Sequence, residues 1–110
     1  MLAASVAVLL ALSAASGAQE SPMRSYWSGE DYPSESFKNN EQGKVTFELK
    51  VGIDGLPKSC RIVQSSGFER LDLRTCEIMM KRARFQPARL SNGEPAEDYF
   101  QSSIDWRIKP

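Results

Sequence analysis

Apolar and polar residues alternate most cleanly from Val45 to Val51. Val45, Phe47, Leu49 and Val51 share one side, with Thr46, Glu48 and Lys50 on the other. That period of two predicts a half-buried strand with one wet face. Gly52-Ile53-Asp54-Gly55 follows, and its Asp-Gly pair is a hairpin signal. Leu56 to Gln64 is therefore expected to return antiparallel, placing Cys60 and Ile62 on a common face. From Leu71 to Phe85 the spacing becomes helical, with Leu73, Cys76, Met79, Met80 and Ala83 on one side. Arg74, Glu77, Lys81 and Arg82 fall largely opposite. Ser66 and Glu69 stand at capping-box spacing ahead of this helix, and Pro87 is expected to stop it. "ARLSNGEPAED" reads as a loop. Tyr99 to Ile108 then alternates again, with Phe100, Ile104, Trp106 and Ile108 facing inward. Gln101, Ser103, Asp105 and Arg107 face outward.

Upstream, "DYPSESFKNNEQG" holds an acidic start at Asp31, a proline suited to a first turn and a closing Gly43. Phe37 is the apolar residue inside it, so a short helix held by docking is expected. The resulting fold class is α+β, in the order α-β-β-α-β. A three-stranded antiparallel sheet with two helices packed on one face buries all these apolar sides. Residues 32–110 form the domain. Residues 19–31 are expected to be a short linker whose aromatics, Tyr26 and Trp27, dock on it.

The chain begins with an apolar run that carries no charge before Glu20 and ends in the small residues Ser16-Gly17-Ala18. Residues 1–18 therefore read as a signal peptide, with a retained N-terminal anchor as the alternative. Either form exports the chain, and the periplasm is the expected location. Contact with a membrane is expected only if this segment is kept. With 14 basic and 14 acidic side chains the net charge is zero, so nothing favours nucleic acid as a partner.

Export bears directly on the two cysteines. In an oxidising compartment Cys60 and Cys76 are most simply a disulfide joining strand to helix. A loop of that length gains roughly 3 kcal/mol in the chain-entropy picture. Catalytic chemistry finds no support. There is no histidine, the bridge leaves no thiol, and Ser102-Ser103 lies in a strand. Glu94, Glu97 and Asp98 sit in a Pro- and Gly-containing loop and read as solvated side chains. No metal site or cofactor is expected, and no residue is assigned a catalytic role. Lys81, Arg82, Arg84 and Arg89 gather at a helix end, where cations suit the dipole or could meet an acidic partner.

One ordered series of motifs resembles a known family. Tyr32-Pro33, Gly43-x-Val45, Asp54-Gly55, Ser65-Ser66-Gly67, Leu71-Asp72 and Arg84-Phe85-x-Pro87 follow the pattern of the TonB family C-terminal domain, over roughly Asp31 to Pro110. The resemblance implies the fold derived above. It also implies a binding role, in which the domain takes the TonB box of an outer-membrane TonB-dependent receptor as a strand beside its own last strand. Backbone hydrogen bonds would then supply affinity and alternate side chains selectivity. The partner-binding residues so implied are Gln101, Ser103, Asp105 and Arg107, with Glu30, Asp31 and Tyr32 from the segment around Tyr-Pro. The family's energy transducers carry a membrane helix, commonly with a coupling histidine, and a long spacer. Here histidine is absent and residues 19–31 extend at most about 45 Å. A stand-alone periplasmic TonB-like protein in transmembrane transport is the expected form. The alternative is a structural or regulatory envelope protein binding another periplasmic partner through the basic helix end. An exposed edge strand also allows a homodimer.

Overall fold

The computed structural model describes residues 19–20 and 26–108. The segment expected to be a leader or anchor lies outside the described residues. The alternating run forms β2, Gly43–Val51, the middle strand of a three-stranded antiparallel sheet. Its four apolar side chains are fully buried, as a period of two with one covered face requires. β3, Pro57–Gln64, pairs on one side and β7, Asp98–Trp106, on the other. The expected α+β class and the order of the main elements are observed.

Between β2 and β3 the chain turns at Gly52–Gly55, closed by the Gly55 amide donating to the Gly52 carbonyl at 2.9 Å. Gly55 has a φ of +80°, and a Cβ there would lie 2.2 Å from the Phe85 carbonyl oxygen. The same residue anchors a distant segment, because the Phe85 amide donates to the Gly55 carbonyl at 3.0 Å.

α2, Glu69–Arg82, lies against β2 and β3, and Cys76 on it is bonded to Cys60 on β3 with Cα atoms 5.7 Å apart. The inward stripe differs from the expected one. Leu71, Thr75, Ile78 and Met79 are buried, whereas Leu73 is 64% exposed and Met80 is exposed. The helix is turned so that polar Thr75 faces the core. There its hydroxyl donates to the Leu71 carbonyl at 2.8 Å and accepts from the indole of fully buried Trp106 at 2.9 Å.

The expected Ser66–Glu69 capping box does not form. The N-cap is Phe68, and Ser66 instead gives its amide and hydroxyl to Asp72. The helix also stops at Arg82 rather than Phe85. Ala83 is extended, and Phe85–Gln86 (β4) pairs with Gln19–Glu20 (β1). Bonds from the Tyr26 hydroxyl to the Arg84 carbonyl and from the Phe85 amide to the Gly55 carbonyl hold the chain in this extended course. Within the expected loop, Ala88–Arg89 (β5) and Pro95–Ala96 (β6) make a small hairpin with Asn92-Gly93 at its tip.

The first helix is shorter than its sequence suggested. Gly29–Asp31 is a 3-10 turn and α1 covers Ser34–Lys38, with Pro33 at its N-cap. Its buried residue is Ser36, while Phe37 is 58% exposed. The last strand ends at Trp106 rather than Ile108, whose amide is taken by the Gln42 side chain at 2.9 Å.

Candidate functional site

The two outer strands of the sheet differ in kind. β7 pairs with β2 in unbroken register from Asp98 opposite Val51 to Trp106 opposite Gly43. β3 slips twice against β2, between Thr46 and Phe47 and between Lys50 and Val51. Bulges twist an edge and blunt its pairing with further strands, whereas a straight edge leaves its outer amides and carbonyls in step. β7 is therefore the edge with the geometry to accept another strand.

The side chains along that edge fall as the alternation predicted. Ile104 and Trp106 are buried, while Gln101, Asp105 and Arg107 are exposed. Ser103 is half-buried, its hydroxyl 2.9 Å from that of Thr46 directly across the ladder. Asp105 and Arg107 form an ion pair of 3.0 Å.

The segment around Tyr-Pro reaches the far end of this strand. Trp27 and Tyr32 both pack on the buried ring of Trp106, with centroids 4.9 and 5.2 Å away. Phe37 stands edge-on to Tyr32 at 6.1 Å. The Tyr32 hydroxyl donates to the Glu41 carbonyl, and burial pushes its pKa above the usual phenol value. A groove of about 670 Å³ opens here, lined by Trp27, Tyr32 and Phe37 together with Asp105, Arg107 and Ile108.

The structure thus brings Tyr32, Asp105 and Arg107 together. It leaves Gln101 and Ser103 further along the strand and gives the neighbouring acids different settings. Glu30 is exposed. Asp31 is buried beneath Arg74 and Arg82, with its two oxygens 2.9–3.1 Å from their guanidiniums. The same bonds occupy the basic end of α2. Arg82 is held by Asp31 and the Tyr26 carbonyl, while Arg84 donates to the carbonyls of Lys81 and Ala83.

Trp27, Phe37 and Ile108 belong to the groove without having been assigned to the site from sequence. A signal existed for Phe37, an apolar residue with no apolar neighbours inside a polar helix.

Among the described residues, no cluster of three or more His, Cys, Asp or Glu could hold a metal ion. No helix among them is long and apolar enough to cross a membrane.

A small α+β domain with an edge strand in unbroken register and an aromatic groove at its end has the architecture of a binding module. Comparison with known proteins gives that class its family. Residues 28–108 match the family model described as Gram-negative bacterial TonB protein C-terminal, and the chain belongs to that family. As a member of that family this chain is not an enzyme. A stretch of 41 residues is 49% identical to the protein named Protein TonB of Neisseria meningitidis serogroup C, covering 37% of this chain and 15% of that relative. Protein TonB of Neisseria gonorrhoeae is 46% identical over 41 residues, covering 37% of this chain and 14% of the relative. The matched stretch is thus a small part of those curated relatives' length.

Proposed function

We propose that this chain is a periplasmic module of TonB-dependent transport that binds the TonB box of an outer-membrane receptor. The peptide adds as a strand along the outer edge of β7. The observation that carries this reading is the contrast between the two edges: an unbroken ladder behind β7 and a twice-shifted one behind β3. Affinity would come from backbone hydrogen bonds, and selectivity from the side chains that alternate beside Gln101, Ser103 and Asp105. Family membership supports the role in transport.

The alternative surface, the basic end of α2, is less suited to a partner. Its Arg82 and Arg84 already hold groups of this chain. A second copy could compete for the β7 edge, which makes self-association a rival for the same hydrogen bonds.

The test is a titration of the ¹⁵N-labelled chain with a synthetic TonB-box peptide. Amide shifts concentrated on Asp98 to Trp106 are expected. The absence of shifts there at millimolar peptide, or shifts centred on β3, would overturn the reading.

A further inference from the structure

We infer that the groove at the end of β7 is a side-chain pocket that selects a bound strand carrying one large, uncharged apolar residue, aromatic or branched aliphatic. This rests on the strand-addition reading and adds to it the chemistry of the recognised peptide.

Three observations lead there. The first is continuity. Asp105 belongs to the edge strand and lines the groove, and Arg107, the first residue beyond the strand's end at Trp106, lines it too. A strand laid along β7 therefore runs into the groove. Its side chains alternate between two faces, so only alternate ones can meet the aromatic wall of Trp27, Tyr32 and Phe37. The second is the make-up of that wall. Trp106 carries Trp27 and Tyr32 on its ring, and Tyr32 carries Phe37, so aromatic surface extends from the buried core to an exposed ring. Such surface attracts apolar and aromatic side chains in tilted or edge-on contact. The third is charge. The charged residues lining the groove, Asp105 and Arg107, neutralise one another at 3.0 Å. Tyr32 is a phenol whose pKa burial raises further, and its hydroxyl already donates a hydrogen bond to the Glu41 carbonyl. A charged residue would lose water there without gaining a free counter-ion. A volume of about 670 Å³ is ample for one large side chain with its flanking backbone.

The experiment uses nine-residue peptides of alternating Val and Thr, with a single Phe placed at each position in turn. Each is titrated into the labelled full chain. One position, or two related by the alternation, is expected to bind about tenfold more tightly than the parent peptide. Replacing that Phe by Asp should abolish the gain. Phe37→Ala removes a largely exposed ring, so the fold should persist and the gain should shrink severalfold. Trp27→Ala provides a second variant with the same expectation. Peptides that shift the β7 amides but bind equally wherever Phe stands would overturn the pocket and leave strand addition intact. A gain that survives both variants would do the same. No shift of β7 amides with any peptide would overturn strand addition, and the pocket with it.

Discussion

Asp31 and Arg82, 51 residues apart in the chain, meet as a two-point ion pair, with Oδ2 2.9 Å from Nη1 and Oδ1 3.0 Å from Nη2. Arg74 adds a third contact at 3.1 Å, and the Ser28 amide donates to Oδ2 at 2.9 Å. One buried carboxylate therefore fastens the segment that carries Trp27 and Tyr32 onto α2. Asp31→Ala removes this centre and leaves its donors without a shared acceptor. It should lower stability by about 1–2 kcal/mol, a discounted figure because the arginines are partly wet. Urea unfolding would measure the loss. The same variant should weaken the packing of Trp27 on Trp106, seen as a change in tryptophan emission before unfolding begins.

The pair also sets a pH dependence. The hydrogen bond from Arg82, opposed by burial, holds the Asp31 carboxyl below its ordinary value of 3.8. A group depressed in the folded state contributes stability above its unfolded pKa. That contribution disappears as pH falls through the lower, folded value. Thermal unfolding of the wild type should therefore fall more steeply than that of Asp31→Asn below about pH 4. Asp54 and Glu77 are also lowered, by Lys58 and Arg74 respectively, but both remain in the variant. Parallel pH profiles for the two proteins would refute this role for Asp31.

How far the fold could be read from sequence follows from the range of each interaction. The strands were legible because a covered sheet face imposes a period of two, and Val45, Phe47, Leu49 and Val51 obey it without exception. The disulfide was legible once Cys60 and Cys76 fell on elements that had to pack together. The helix face was misread because Leu73 is apolar and Thr75 is polar. Their environments invert that order, since the Trp106 indole needs a buried acceptor and Thr75 supplies it. Asp31 looked like a local helix-start charge, and no local spacing reveals Arg82 as its partner. Tyr32, Asp105 and Arg107 were expected at the site, but the groove they share depends on Trp27 and Phe37 arriving from outside the strand.

Thr75 offers a direct test of that inversion. Thr75→Val keeps the shape but leaves the Trp106 N–H buried with no acceptor. The expected loss is about 1–3 kcal/mol. Thr75→Ser keeps the hydroxyl and should recover much of it, apart from the small cavity left by the methyl group. Equal stability of the Val and Ser variants in urea would show that the indole bond contributes nothing.

Reducing the Cys60–Cys76 bridge should destabilise the domain by roughly 3 kcal/mol, the chain-entropy value for a loop of this size. Thermal unfolding with and without dithiothreitol reads this directly. The Cys60→Ser/Cys76→Ser double variant should match the reduced wild type and respond no further to reductant. Because the bridge joins β3 to α2 and does not involve β7, a peptide that shifts the β7 amides should do so in both redox states below the unfolding transition.

Gly55 and Gly93 separate backbone strain from steric contact. Both have positive φ, +80° and +90°, so alanine is strained at either position. At Gly93 nothing lies within 4 Å of an added Cβ, and Gly93→Ala should cost only about 1–2 kcal/mol. At Gly55 the added carbon would meet the Phe85 carbonyl oxygen at 2.2 Å. Relief requires moving the 52–55 turn away from the segment that closes α2, which breaks the 3.0 Å bond from the Phe85 amide to the Gly55 carbonyl. Gly55→Ala should therefore lose clearly more stability than Gly93→Ala, with added hydrogen exchange at the Phe85 amide. Equal losses for the two variants would mean that backbone conformation alone governs Gly55, and that the contact between the hairpin turn and the end of the helix is slack.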